Sequence, residues 1–509
     1  MNALLTMHLP ALPILLPFIA GLLLLALPKL GFPQRRLFSG LALLLQIGVA
    51  LLLLSRVSGG DIFVYRLGDW AAPWGIVLVA DRLSAWMLLI TTVLALAAAF
   101  ATGNGDDRRG PHFHTLFQMQ LFGLAGAFLT GDLFNLFVFF EVLLLASYGL
   151  QLHGGGGDRV RGGLHYVVLN LIGSTVFLFA AGLLYGALGT LNMADLAQRA
   201  AQVPASEVGL VRTGGLLLFA VFALKAALLP LYFWLPAAYA STSAPVAALF
   251  AIMTKVGAYA ILRHQSLMFG PDAGPVADLF APWLLPAALL TLLLGMFGAL
   301  AADRLKRMAA YLVVASVGTL LVAFSLGTAG VAAGLYYLPH STFAGAALFL
   351  LADAIARRRE VVGESLREAD GELPQAPLWG TMFFVSAVLI AGLPPLSGFL
   401  GKVVILRAAY GQPAAVLIWT AILFTALLGI IAMARAGSRL FFKTDRAQPS
   451  APIGVRRHDL LAIGSLLALA LALTIWANPV LEFTQATATQ LGTPDIYIRA
   501  VLGAAESGS

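Results

Sequence analysis

Long apolar runs alternate with short polar loops along almost the whole chain. Crossing hydrocarbon takes roughly 20 apolar residues in a helix. Runs of that kind lie near 4–28, 35–56, 76–102, 113–130, 132–152, 163–186, 212–235, 243–263, 279–300, 307–326, 328–355, 377–409, 414–436 and 459–478. The pattern predicts an all-α polytopic membrane protein with about 14 transmembrane helices. Only Thr130-Gly131-Asp132 separates the fourth run from the fifth. Gly131 there permits a tight turn, and Asp132 can cap the following helix. A polar segment, Asn192–Val211, carries Asn192-Met193-Ala194-Asp195, which predicts a capped small amphipathic helix running through Leu196 and Ala200. The apolar stretch Leu9–Leu27 has no basic segment before it and no small-residue cleavage site after it. It reads as a first span rather than a signal peptide. The longest polar stretches, Ala356–Gln375 and Arg435–Asp459, are loops of ordinary length.

Composition supports lipid as the solvent. Apolar residues make up 60% of the 509 and charged residues 11%, and mean hydropathy is +0.90. A soluble protein is about a quarter charged, because it must cover its surface. The absence of cysteine excludes disulfides and thiolate metal sites. The net charge of +7 is spread over short loops and does not line one face, so it reads as topology signal and not as nucleic-acid binding. Most Lys and Arg fall in the odd-numbered loops. The positive-inside rule puts those loops in the cytoplasm and both termini outside.

Few ionisable residues fall within the spans. An Asp or Lys at a helix centre costs about 2.5–3.5 kcal/mol even on the lenient insertion scale, so such groups are kept for function or because they pair. Glu141 lies in the fifth run, Lys225 in the seventh, Lys255 in the eighth, His340 in the eleventh and Lys402 in the twelfth. Burial disfavours the charged form of a lysine or carboxylate, and a nearby opposite charge favours it. A buried lysine whose acidic partner can approach or withdraw is therefore a switching proton site. The bland alternatives are a static Glu141–Lys225 ion pair, a snorkelling Lys402, and a packed His340 with no proton role. Asp353 reads as an interfacial acid beside Arg357.

Two spans are interrupted. The seventh carries Pro230 five residues after Lys225, and the twelfth carries Pro394-Pro395 ahead of Lys402. Proline removes a backbone donor, and inside a membrane the freed groups persist only where protein or water satisfies them. Two lysine-flanked breaks, five spans apart, fit inverted repeats with ion sites at discontinuous helices. The organisation read from this is peripheral helices over 1–112, a first five-helix inverted repeat over 113–263 and a second over 264–436. A loop, a last helix and an outer tail follow over 437–509.

Three stretches resemble one family. They are Thr130–Val142 with Ser147-Tyr148, Leu188–Leu196, and Leu249-Phe250 followed by Thr254-Lys255-Val256-Gly257. They are similar to the antiporter-like subunits shared by respiratory complex I, membrane-bound hydrogenases and Mrp-type cation/proton antiporters, and most closely to the D subunit of the Mrp type. The resemblance implies a charge pair of Glu141 and Lys225, a central relay at Lys255 and a terminal lysine at Lys402. Two departures stand out. Ala237-Ala238-Tyr239-Ala240 follows Leu235-Pro236 where the family usually has an acid, and Phe343–Leu350 lacks the family's lysine after His340. The link from Lys255 to Lys402 then falls to His340, Tyr336, Tyr337 and water.

The expected function is proton conduction along Glu141, Lys225, Lys255, His340 and Lys402, in one subunit of a multi-subunit Na+ or K+/H+ antiporter of a bacterial inner membrane. Expected partners are the other subunits, protons, monovalent cations and lipid. The runner-up is a pump subunit of a complex I-like or hydrogenase assembly. In either case the chain has no cysteine, haem-ligand pair or nucleotide loop, so no cofactor and no enzymatic site of its own are expected. A scaffold that has lost transport is a third reading, supported only by the missing lysine.

Overall fold

Lipid offers no hydrogen-bond partners, so a chain this apolar must satisfy its backbone internally, and helices do so within each segment. A computed structural model of the protein describes residues 7–359, 362–367, 373–443 and 454–503; parts of both long polar loops lie outside these residues. The order begins with α1 (Leu12–Ala26) and α2 (Phe32–Val57), then a hairpin of β1 (Phe63–Arg66) and β2 (Val77–Ala80). Next come α3 (Arg82–Ala101), α4 (Phe113–Leu129), α5 (Leu133–Leu152), α6 (Gly157–Leu188), the short α7 (Met193–Ala201) and α8 (Val208–Ala226). Three pieces follow: α9 (Trp234–Ser241), α10 (Ala244–Phe250) and α11 (Met253–Leu267). Then α12 (Ala281–Ala301), α13 (Leu305–Phe324), α14 (Gly327–Ala356), α15 (Ala376–Ala391) and α16 (Ser397–Ala409). The chain closes with α17 (Ala415–Gly437), α18 (Arg457–Ile475), α19 (Ala477–Leu491) and α20 (Pro494–Leu502).

Among the described residues, 11 helices are long and apolar enough to cross a membrane. Helix occupies every predicted run, but five runs hold shorter or broken pieces: α1, α4, the α15–α16 pair, the seventh run, which is interrupted after α8, and the eighth, which is split into α10 and α11. Packing is concentric. α10, α11, α13 and α14 are almost wholly buried, whereas α2, α6, α12 and α17 turn Leu44, Phe179, Phe297 and Leu427 outward. In water such a surface would be an aggregation hazard; against acyl chains it is the appropriate solvent face. Small residues let the inner helices touch. A Cβ on Gly318 would lie 2.4 Å from the Leu292 amide nitrogen, and one on Gly295 2.6 Å from that of Ala315. α12 and α13 therefore cross with their backbones in contact.

Three features depart from the sequence expectations. The β hairpin was not foreseen; it pairs Phe63 with Ala80 and Arg66 with Val77, and Leu78 also bridges to Thr130 just after α4. Gly131 is needed for space and not for a left-handed turn. Its amide donates to the Val77 carbonyl at 2.9 Å, and a Cβ would strike Val77 and Val79. The tail after α18 folds into α19 and α20, which bury Thr484, Thr487 and Tyr497. The two predicted caps form: Asp132 accepts from the Asn135 amide, and Asn192 from those of Ala194 and Asp195.

The bundle is tied at both ends by charges. At the start of α3, Asp81 caps the helix through the Ser84 amide and is paired with Arg263 of α11 at 2.6 Å. Both are buried, and the Arg263 guanidinium lies 5.6 Å from the Tyr259 ring and 5.3 Å from the Tyr497 ring. At the opposite end, Asp107 holds Arg36 at 2.6 Å and His114 at 3.2 Å. Burial pushes the Asp107 carboxyl up, but the His114 and Arg36 hydrogen bonds outweigh it and hold it at about 2. Its stabilising contribution is thus complete above the ordinary carboxylate range and is lost only as pH falls toward that value. Asp353 of α14 sits between Lys306 at 3.1 Å and Arg357, and Arg357 reaches on to Asp459 at 2.5 Å.

Removing one partner from a buried pair strands the other charge. Asp81→Leu alone should destabilise the chain by about 3–5 kcal/mol, whereas Asp81→Leu with Arg263→Met should recover most of that. Thermal unfolding of the purified protein in detergent checks both.

Candidate ion path

The sequence-predicted residues lie on α5, α8, α11, α14 and α16; Lys225, Lys255 and His340 are buried, Glu141 and Lys402 are half-buried, and two of the five mark helix breaks. α8 ends at Ala226, one residue past Lys225, and Ala227 adopts a left-handed conformation with φ 56°. The next helical turn starts only at Trp234, so Pro230 lies within the break. The loose backbone groups are taken up by protein. The Trp234 indole donates to the Leu224 carbonyl at 3.3 Å, and the Leu229 amide donates to the Thr291 hydroxyl at 2.8 Å. That hydroxyl donates in turn to the Ala287 carbonyl at 2.6 Å.

The second break is built differently. α15 stops at Ala391, Gly392 turns left-handed, Pro394-Pro395 cross the gap and α16 starts at Ser397. Lys402, one turn into α16, reaches back so that its Nζ donates to the Ala391 carbonyl at 2.8 Å. A cation at the carbonyl end of a helix is favoured by its dipole. The side chain does not snorkel outward. Lys225 therefore sits before its break and Lys402 after its own. A third interruption, unforeseen in the sequence, parts α10 from α11 at Ala251 and Ile252, two residues before Thr254 and Lys255.

The Glu141–Lys225 relation is open. The Lys225 Nζ is buried and has no hydrogen-bond partner among the described residues; it lies 5.1 Å from the centre of the Phe140 ring. Glu141 is partly exposed, interacts electrostatically with Lys225 and binds the Ser174 hydroxyl. Tyr166, Asn170 and Ser174 form a polar strip along α6, at successive i+4 positions. Asn170 donates to the Tyr166 carbonyl at 2.9 Å, and Tyr166 shares a hydrogen bond with Ser147 at 2.6 Å. That strip was missed in the sequence, although polar residues spaced by four in an apolar helix are a readable signal.

Lys255 is fully buried, and its Nζ donates to the Ser316 hydroxyl at 3.4 Å. Its position depends on Gly257, where a Cβ would lie 2.3 Å from the Ala226 amide nitrogen, so α11 packs directly on the end of α8. His340 is buried, with Nδ1 2.9 Å from the Ser397 hydroxyl at the start of α16. Between Lys255 and Lys402 lies a cavity of about 40 Å³, lined by Ser316, Thr319, Tyr337, His340, Ser341 and Lys402. It occupies the region left without a lysine, and its volume exceeds the roughly 10–15 Å³ that admits one water. Gln118 and Gln120 of α4, both fully buried, were also missed; Gln118 bonds Gln46 and Ser39, and Gln120 donates to the Met253 sulfur.

Ionisable side chains buried at discontinuous helices, inside a lipid-facing bundle, define a membrane protein of the ion-translocating class. Comparison with known proteins agrees. Residues 130–429 match the family described as NADH:quinone oxidoreductase/Mrp antiporter, transmembrane, and the chain belongs to that family. It is 41% identical to the D subunit of a probable K(+)/H(+) antiporter of Rhizobium meliloti, over 99% of each chain. It is 37% identical to the D subunit of the Na(+)/H(+) antiporter of Alkalihalophilus pseudofirmus, over 97% of this chain and 99% of that one. In structure it resembles a chain of the Mrp complex from Dietzia, with a TM-score of 0.86 and 30% identity, over 98% of this chain and all of that one.

Thr291→Val keeps the shape but removes the acceptor for the Leu229 amide. It should lower stability by about 1–3 kcal/mol, the penalty for an unsatisfied buried group. Thr291→Ser should restore it, as read by thermal unfolding in detergent.

Proposed function

We propose that this chain is the proton-conducting subunit of a multi-subunit Na+ or K+/H+ antiporter, with the relay Glu141, Lys225, Lys255, His340 and Lys402. The observation that carries the reading is the Lys225 ammonium, buried and unbonded, with Glu141 near enough to bias it but not locked to it. A buried lysine in that state can take or lose a proton as the carboxylate moves. Each later site in turn has a hydrogen-bond partner: Ser316 for Lys255, Ser397 for His340, and the Ala391 carbonyl for Lys402. Water in the cavity beside Ser316 and Ser341 would bridge Lys255 to His340 and Lys402 in place of the missing lysine.

The antiporter reading is favoured over the redox-pump alternative because relatives matched along nearly their full length are antiporter subunits. With this goes a topology of 14 spans in a bacterial inner membrane, termini outside. Two inverted repeats, over 113–263 and 264–436, place their breaks at Pro230 and at Pro394-Pro395. The peripheral helices of 1–112 and the segment 437–509 flank these repeats. The cation exchanged is Na+ or K+, and partner subunits complete the route.

Cation-induced collapse of a pH gradient in everted vesicles is the decisive measurement, on the whole complex carrying either the native chain or Glu141→Gln. The variant should assemble normally on a native gel and lose exchange. Normal exchange by an assembled variant would move the proton route to another chain. Exchange that needs an electron donor even in the native complex would establish the redox-pump reading.

A further inference from the structure

Away from the relay, where α12 and α17 end, a pocket of about 390 Å³ gathers three arginines: Arg367, Arg435 and Arg439. Its walls otherwise include Leu300, Ala301, Leu366 and Ala436. Among the described residues the one carboxylate in it is Asp303, which lies 3.7 Å from Arg367 and 3.9 Å from Arg307. Those separations are too long for hydrogen bonds, so Asp303 offsets one positive charge without occupying the guanidinium N–H groups. Arg435 donates to the Leu300 carbonyl, and Arg439 donates to the Arg367 carbonyl at 3.2 Å. Each guanidinium carries five donors, and among the described residues these two use one apiece on protein acceptors. Counted over the described residues, the lining thus keeps a surplus of two positive charges and several unused N–H groups.

The surroundings point to what fills it. From the pocket along α12 and α17 runs an outward-facing apolar stripe of Phe297, Phe424, Leu427 and Ile431, with the Phe297 and Phe424 rings 6.3 Å apart. Phe442, 84% exposed, follows Arg439 by three residues. A guanidinium cluster at the end of a lipid-facing stripe suits a molecule with a phosphate at one end and hydrocarbon at the other. Arginine is the preferred side chain for such a phosphate because its planar fork donates two parallel hydrogen bonds. A merely topological positive charge would need neither a shared pocket nor the adjoining stripe.

We propose that the pocket of Arg367, Arg435 and Arg439 binds the phosphate of an anionic phospholipid whose acyl chains lie on the α12–α17 stripe. This site is independent of the ion path. The test uses the purified complex, stripped of lipid in detergent and then titrated with phosphatidylglycerol, with bound lipid counted by native mass spectrometry. The native complex should retain phosphatidylglycerol in preference to phosphatidylcholine. Arg435→Gln with Arg439→Gln should weaken retention about tenfold or more per guanidinium, as for lost charge-assisted hydrogen bonds. Arg367→Gln, at a 75% exposed side chain, should weaken it less and serves if the double variant fails to assemble. Equal retention by native and variant complexes would overturn the proposal. So would displacement of the lipid by equimolar inorganic phosphate, which would make the ligand a soluble phosphate. Loss of a partner subunit from the variant complex would overturn it too, by assigning the pocket to a protein contact.

Discussion

The requirement that no backbone polar group be left unpaired in hydrocarbon governs the interior of this protein. Intact helices meet it without help; the breaks cannot. At the first break the Trp234 indole and the Thr291 hydroxyl supply the missing partners, and at the second the Lys402 ammonium does so. These side chains come from neighbouring helices or from beyond the gap, so each break binds several elements together. Lys402 consequently does two things: it completes a helix end, and it lines the cavity proposed to carry water.

Two kinds of buried charge coexist, and their difference is geometric. Asp81 and Arg263 are closed on each other at 2.6 Å, with two tyrosine rings and a helix cap around them. A pair so completely satisfied has no alternative partner and acts as a fastener. Lys225 has no such closure; its ammonium faces an aromatic ring and feels the carboxylate from a distance. The same desolvation that would be wasteful in a fastener makes the open lysine responsive to a small shift of its neighbours. The Asp81 and Asp107 fasteners flank α3 at its two ends, and the unbonded Lys225 lies at the end of α8.

Close backbone approach leaves this arrangement little room for displacement. Gly257 lets α11 rest on the end of α8, which sets the spacing between the Lys225 and Lys255 segments, and Gly295 and Gly318 do the same for α12 and α13. α13 carries Ser316, the hydrogen-bond partner of Lys255. The inner layer is thus positioned by contacts that admit no added methyl group, while the outer helices touch lipid and can vary more freely.

The sequence by itself determined the apolar segments, the residues charged within them, the prolines that interrupt the seventh and twelfth runs, and the caps at Asp132 and Asn192. All of these depend on local composition or on residues a few positions apart, which is what a one-dimensional pattern records. Only the tertiary structure decided that Glu141 and Lys225 stay unlocked and that Lys402 turns inward onto Ala391. It alone also showed that Asp81 pairs with Arg263 and that Ser316 and Ser341 line a cavity where the lysine is missing. Those outcomes depend on distances between segments far apart in the chain, and in a uniformly apolar sequence many helix faces look alike. The hairpin and the third break were hidden for a related reason: Val77–Ala80 and Ala244–Met253 are apolar throughout, and composition alone does not separate a strand or a short turn from a continuing helix.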